Sequence, residues 1–329
     1  MSEFAFELEL CATVEAQSDG IVSRQLGAGV TAPGGRIVDV VRVDPGPAFE
    51  DRLGLTPETI PQAAIDADVG PGRARPVTDA FECHPNQARR IADRAVEIGF
   101  FERERRAGRE YVRQVARYPD WFGRLTGIEN KPDLGSPGAL ATQLRTDVSL
   151  AVFDSVILAT ESYVTGAHLH RLPSAVGVWR VHREETPIRI EVVREPSALP
   201  TEKPGIEPLA EKPGRTDVAV VSPAAKARTR RRIAERAYGK GWRTFSMPAC
   251  GACDPTAADR FGDDSVTLPY CRWAGRLVDA ESECGPDCSA HDPAPPVSVD
   301  TETQRASRTP WVADPPEWTR RQASLDRFE

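Results

Sequence analysis

A run of β-branched residues interrupted by one charge constrains the fold most. Arg36-Ile37-Val38-Asp39-Val40-Val41-Arg42-Val43 reads as a strand, and Asp44-Pro45-Gly46-Pro47 ends it. Asp39 lies in the middle of that strand. An unpaired carboxylate there is costly, so it is paired with a base, exposed at an edge, or holding a metal. Ahead of the strand, Phe4 to Gln17 is free of Gly and Pro and spaces Phe6, Leu8, Leu10 and Val14 as a helix does. A Gly-rich turn joins the two.

With 329 residues, several domains are possible. Forty-nine acidic residues against forty-two basic ones exclude a protein that coats nucleic acid through bulk positive charge. Any contact with a polyanion is therefore local. The chain lacks a long apolar run and an N-terminal basic stretch followed by an apolar core, so neither membrane span nor signal peptide is expected and the protein reads as cytoplasmic. Only five of the basic residues are lysines, and before Lys203 Lys131 stands alone among twenty-two arginines. An ammonium can shift its pKa and relay a proton, which a guanidinium cannot, so Lys131 is singled out. An acidic, Arg-rich, Lys-poor composition also resembles that of proteins from salt-loving archaea.

Residues 55–117 read as a separate unit. Helical stretches near Thr59 to Asp68 and Pro85 to Gly99 lead into two alternating arms, Phe100 to Val112, around Ala107-Gly108. A hairpin directly after a helix resembles the wing of a winged-helix domain, whose preceding helix can enter a DNA major groove. Arg89, Arg90 and Arg94 fall on that helix, while Arg103, Arg105, Arg106 and Arg109 decorate the hairpin, so DNA is the expected partner. A solvated charged hairpin on a protein-binding module is the alternative. Residues 118–195 alternate strand and helix: a strand ending at Glu129-Asn130-Lys131, a helix over 138–153, and strands at 155–159, 176–181 and 188–193. That is an α/β pattern. Five prolines between Pro196 and Gly214 suggest a linker over 196–215. In the remainder, 216–329, basic residues crowd ahead of Tyr238 and Trp242, so Arg230, Arg231 and Lys240 are candidate phosphate contacts beside stacking rings. A plain solvated helix would look the same. The last forty residues are proline-rich and are expected to lie over the surface.

The segment Leu125-Thr126-Gly127-Ile128-Glu129-Asn130-Lys131 resembles the second catalytic strand of the PD-(D/E)XK nuclease superfamily, whose signature is an acid, any residue, then lysine. The order of elements agrees: an acidic helix, the Asp39 strand, the Glu129 strand, a helix with Gln143 and a further strand. The resemblance covers residues 4–45 and 118–195. It implies a restriction-endonuclease-like core, a mixed sheet flanked by helices, split at residue 50 and resumed at 118 around the inserted winged helix. It further implies that Glu7 or Glu9 on the helix, Asp39, Glu129 and Gln143 surround a Mg²⁺ or Mn²⁺ ion, with Lys131 acting on the attacking water. Strand periodicity places Glu129 and Lys131 on one face. Two aspartates compete for the acidic position: Asp39 has the better strand context, whereas Tyr118-Pro119-Asp120 supplies a literal Pro-Asp pair. The expected function is metal-dependent hydrolysis of DNA, with a non-enzymatic DNA-binding regulator as the alternative. Taken whole, the chain resembles a haloarchaeal family of unknown function in segments such as Tyr118-Pro119-Asp120-Trp121, Ile128 to Gly135 and Ala237 to Arg243.

Cys11 and Cys83 stand apart, whereas Cys250, Cys253, Cys271, Cys284 and Cys288 gather within one short stretch. The Cys250-Gly251-Ala252-Cys253 spacing lets two thiolates grip one ion, so a C-terminal metal module is expected. Zinc is favoured, an iron–sulfur cluster is the second choice, and one cysteine is surplus. His168 and His170, two apart on a helix, would not share a face and read as structural or substrate-contacting.

Overall fold

A computed structural model describes residues 2–136, 138–255 and 266–316. The chain divides into one unit of residues 1–44 and 124–310 and a second of residues 45–123 and 311–329. The first unit opens with α1 (Glu3–Ala16), started by the Ser2 hydroxyl, which accepts from the Ala5 amide. Apolar spacing predicts one buried face, yet α1 is buried on all sides from Ala5 through Glu15. Strand residues Val22, Val40, Ile128 and Ile157 share its core, and so do Trp242, Leu268 and Leu277 from much later in the chain. Three acidic side chains of α1 are enclosed as a result. Glu7 pairs with Arg24 at 2.5 Å, Glu9 with Arg183, and Glu15 with Arg243 at 2.6 Å.

Strands β1 (Ile21–Gly27) and β2 (Ile37–Pro45) form an antiparallel pair. β1 occupies part of the stretch read as a turn. Gln25, at φ +53°, drops out of the ladder between Arg24 and Leu26 while the register stays the same on either side, and its left-handed backbone spoils the alternation by which a strand is recognised.

The second unit contains α2 (Phe49–Leu53), α3 (Gln62–Ile65), β3 (Arg75–Pro76), α4 (Val77–Ala80), α5 (Pro85–Glu97), β4 (Phe101–Arg106) and β5 (Arg109–Gln114). α3 is a single turn, shorter than its sequence suggests. β4 and β5 pair around Ala107 and Gly108, whose φ values of +47° and +79° suit a tight two-residue hairpin. β3 adds to β5, giving the order β3-β5-β4. Ala88, Ala92 and Ala95 of α5 pack on Phe100, Phe101 and Val112, so a stripe of small residues seats the helix on the hairpin.

Returning to the first unit, β6 (Phe122–Asn130), α6 (Leu140–Leu150), β7 (Ser155–Thr160), α7 (Gly166–Arg171), β8 (Gly177–His182) and β9 (Arg189–Arg194) complete a mixed sheet of order β1-β2-β6-β7-β8-β9. β6, β7 and β8 run parallel, and α6 makes the crossover that a parallel pair requires. Helices flank this sheet: Ile128 of β6 packs in the α1 core, and Glu129, pointing the other way, meets α6. On α7, His168 and Thr165 form a reciprocal capping pair, so this histidine is structural.

The expected linker over 196–215 is replaced by β10 (Gly205–Lys212), which pairs with β11 (Arg215–Val221). Its prolines fit because Pro204 precedes the strand and Pro208 sits at a register shift of a two-stranded sheet. The basic helix α8 (Pro223–Lys240) follows and packs along β1. Short strands β12 (Tyr270–Cys271) and β13 (Arg276–Leu277), then α9 (Ala280–Glu283) and α10 (Thr301–Arg308), end the unit. The proline-rich tail is not wholly superficial: Arg305 of α10 is buried and donates to Ala237 O at 3.2 Å and Gly239 O at 3.3 Å, supplying a cation to the last carbonyls of α8. Among the described residues, no helix is long and apolar enough to cross a membrane.

Arg243 and Glu15 are almost fully enclosed, so removing one partner strands the other charge. Arg243→Ala should lower stability by about 3–5 kcal/mol, measured as a shifted urea midpoint. A variant within about 1 kcal/mol of the parent, roughly the worth of an exposed pair, would show that the pair does not hold α1.

Candidate active site

Carboxylates converge where the end of β6 meets the start of β2. The Asn130 amide donates to Asp39 Oδ2 at 2.9 Å, while the Asn130 side chain donates to Glu7 Oε2 at 2.9 Å. Gln25, the residue of β1 with a positive φ, makes the same connection, donating to Glu7 Oε2 at 2.7 Å and to Asp39 Oδ1 at 3.4 Å. Glu129 is held on the α6 face by Arg36, whose Nη2 lies 2.5 Å from Glu129 Oε1, and the same guanidinium grips both oxygens of Asp147 at 2.9 and 2.6 Å. Glu7, and not Glu9, is the α1 acid that belongs here.

This cluster holds more acid than base. Burial pushes the Asp39 carboxyl up to about 6, with the nearby Glu7 charge adding to the rise while the Asn130 amide and Arg36 oppose it. Glu129 goes further, to about 8, because it is buried and faces Asp39, with Arg36 pulling the other way. Burial also raises Asp147 against the pull of Arg36. Ionising the whole set therefore needs either protons or a cation, and Asp39 and Glu129 offer oxygens of the type that hard divalent ions prefer, whereas Glu7 is engaged by Arg24, Gln25 and Asn130.

Not every expected residue joins the cluster. β6 ends at Asn130, so Lys131 is one residue past the point where strand alternation governs. Its ammonium turns toward α1 and pairs with Glu3 at 2.5 Å, which corrects the expectation that it shares a face with Glu129. Glu3 is one helical turn before Glu7, which leaves the amine beside the cluster. Gln143 lies one turn before Asp147 on α6, half-buried on the same face. Asp120 is exposed, belongs to the second unit and precedes β6 at the end opposite Glu129, so the choice between the two aspartates falls to Asp39.

The basic candidates separate equally clearly. Arg89, Arg90 and Arg105 are exposed on α5 and β4. Arg94 is paired with Glu97 and Glu58, and Arg103 with Asp93 and Glu110. In α8, Arg230 donates to Val152 O at 2.6 Å and pairs with Asp154 at 2.9 Å. Lys240 donates to Arg24 O at 2.7 Å and Gln25 O at 3.1 Å. Arg231 is half-buried and engaged. Tyr238 and Trp242 are fully buried, so they are core residues and not stacking platforms. The basic helix is thus a staple, with donors directed at backbone carbonyls of its own unit. Cys250, Cys253, Cys271, Cys284 and Cys288 line one cavity of about 60 Å³ together with His291.

Glu3, Gln25, Arg36, Asn130 and Asp147 complete the site without standing out in the sequence. Two of them carry a signal there: Glu3 repeats Glu7 at helical spacing, and Asp147 repeats Gln143.

A mixed α/β core with a buried carboxylate cluster at one sheet end is thus the class that fold and site define. Within it, residues 21–293 match the family described as "Family of unknown function (DUF5787)", and the chain belongs to that family. No curated protein and no solved structure is significantly similar to it.

The raised acids set a pH dependence. A carboxyl whose native pKa exceeds its unfolded value, near about 4, binds its proton more tightly when folded. Its stabilisation is complete below that value and is lost as pH rises through about 6 for Asp39 and about 8 for Glu129. A divalent cation competes for the same oxygens. Mg²⁺ should therefore raise the melting temperature more above pH 8 than below pH 6, the two values that bracket these carboxyls, and Asp39→Asn should abolish the difference. Identical melting curves with and without Mg²⁺ across that range would argue against an ion at this site.

Proposed function

We propose that the protein is a metal-dependent nuclease that hydrolyses phosphodiester bonds in DNA. The observation that carries this reading is the pair of buried acids Asp39 and Glu129 at one sheet end, where the one nearby guanidinium, Arg36, is shared between Glu129 and Asp147. The element order also agrees with the PD-(D/E)XK resemblance: α1, then β2 with Asp39, β6 with Glu129, the α6 crossover and parallel β7. Mg²⁺ or Mn²⁺ bound by Asp39 and Glu129 would acidify a water and screen the charge of the reacting phosphate. Glu7 holds the Gln25 and Asn130 amides, which orient Asp39. Arg36 neutralises Asp147 and fixes the Glu129 carboxylate. Lys131 is paired with Glu3 beside the cluster and would have to leave that pair to position the attacking water or to neutralise the developing oxyanion.

The second unit suits delivery of DNA to such a site. Its order of short helices, a short strand, α5 and a β4–β5 hairpin resembles that of a winged helix, and Arg89, Arg90 and Arg105 are exposed residues suited to phosphate contacts. Those same features favour the second reading, a DNA-binding regulator without hydrolytic activity.

Cleavage of duplex DNA in Mg²⁺ or Mn²⁺, followed on gels, separates the two. The wild type should cut, and Asp39→Asn, Glu129→Gln and Lys131→Ala should each reduce the rate by about 10²-fold or more. DNA that is bound but never cut by the wild type would leave only the regulator. In a binding titration, Arg89→Ala with Arg90→Ala should weaken affinity and lower the salt slope by about 0.9 for each phosphate that is no longer neutralised. Unchanged affinity would exclude α5 as the DNA-facing element.

A further inference from the structure

The cysteine-lined cavity lies outside the carboxylate site and nothing in the proposed hydrolysis uses it. All five cysteines there are free thiols. Backbone amides are aimed at two of the sulfurs: Cys250 Sγ accepts from Ala252 N at 3.5 Å and Asp292 N at 3.4 Å, and Cys271 Sγ accepts from Ala274 N at 3.5 Å. An N–H directed at sulfur favours the thiolate, the form that binds metal. Each of these sulfurs sits on a tight turn, closed by Cys253 N to Cys250 O at 3.0 Å and by Gly275 N to Cys271 O at 2.8 Å. Gly275 has φ +65°, a conformation that glycine takes without strain. Cys253 and Cys271 face each other across an isolated β-bridge, which brings the two turns together. Ala252, Ala274 and Val278 supply apolar walls.

We infer that Cys250, Cys253 and Cys271, with one of Cys284 and Cys288 as the fourth ligand, hold a thiolate-bound metal centre that fastens this segment onto α1. Cys253 lies in electrostatic range of Cys271, Cys284 and Cys250, and Cys284 in range of Cys271, Cys250 and Cys288. The mechanical link is β13: its Leu277, together with Val266 and Leu268, shares the buried core of Phe6 and Leu10 on α1. Metal binding thus organises one wall of the helix that carries Glu7. Among the described residues, the one ligand-type group whose donor atoms all lie within 4.8 Å is His182, Glu184 and Glu185. A single tetrahedral ion sets sulfurs about 3.8 Å apart, from Zn–S bonds near about 2.3 Å. Zinc would draw the four thiolates inward, and an iron–sulfur cluster would leave them wider.

The test is the metal content of the full chain, purified anaerobically under reducing conditions and assayed for zinc, iron and acid-labile sulfide. One zinc per chain, or iron with matching sulfide and its charge-transfer absorption, supports the assignment, and the two results identify which centre it is. Cys253→Ser and Cys271→Ser should lose the metal, and one of Cys284→Ser and Cys288→Ser should keep it. Should the first two fail to fold, chelation of the wild type is the second measurement: the melting temperature should fall and should recover when the same metal is returned. Folded protein without stoichiometric metal and indifferent to chelator overturns the proposal, as does loss of metal from Cys288→Ser with retention in Cys253→Ser. Because the readout is metal content and not DNA cleavage, the outcome is independent of whether the carboxylate site is hydrolytic.

Discussion

A helix buried on every side can carry charge only where each charge is answered, and that condition organises the first unit. Glu7, Glu9 and Glu15 of α1 are met by Arg24 from β1, Arg183 from the turn after β8 and Arg243 from the segment after α8. Three distant stretches of chain are thereby brought to fixed positions along one helix. Buried pairs contribute little net stability once desolvation is counted, but a mispaired arrangement would leave bare charges in an apolar core. Their effect is to specify where each stretch docks. The preference for arginine over lysine follows, since a planar fork can satisfy both oxygens of a carboxylate and is less strongly hydrated than an ammonium.

The carboxylate cluster grows out of this arrangement and departs from it in one respect. Glu7 has its arginine, but Asp39 has amides only, and Arg36 is shared between Glu129 and Asp147. Glu9 and Glu15 each meet an arginine directly, although Arg183 also pairs with Glu161. Around Asp39 and Glu129 the acids outnumber the bases, and the excess appears as their raised proton affinities. Such an imbalance, held in place by two amide bridges, is the kind of site where function and stability pull in different directions.

The residues with a regular period were legible from sequence: α1, β2, α5, the β4–β5 hairpin and α6 all fall close to where spacing and turn residues put them. So was Asp39, because a charge inside a β-branched run is visible without knowing its partner. Arg36 could not be singled out in the same way, since one arginine among thirty-seven carries no local mark and its role depends on a helix more than a hundred residues later. Gln25 was hidden because its left-handed backbone, which takes it out of the ladder, leaves no mark in the sequence. α8 misled for the opposite reason: a dense basic stretch looks like a phosphate-binding surface, and only tertiary structure reveals that Arg230 and Lys240 turn inward to carbonyl oxygens. Lys131 shows the limit of periodicity, which stops at the last paired residue of a strand.

β2 and β6 are neighbours in the sheet although residues 45–123 intervene. Joining two strands across so long an excursion has an entropic cost that rises only with the logarithm of its length, and folding the excursion first shortens the effective loop. The second unit has its own core of Ala88, Ala92, Phe100 and Val112, so it can collapse by itself. The central pairing, and with it the meeting of Asp39 and Asn130, is therefore less costly to form when the excursion is compact. The same arrangement lets the length and composition of that excursion drift with small energetic penalty, while the two strand ends that frame it stay fixed.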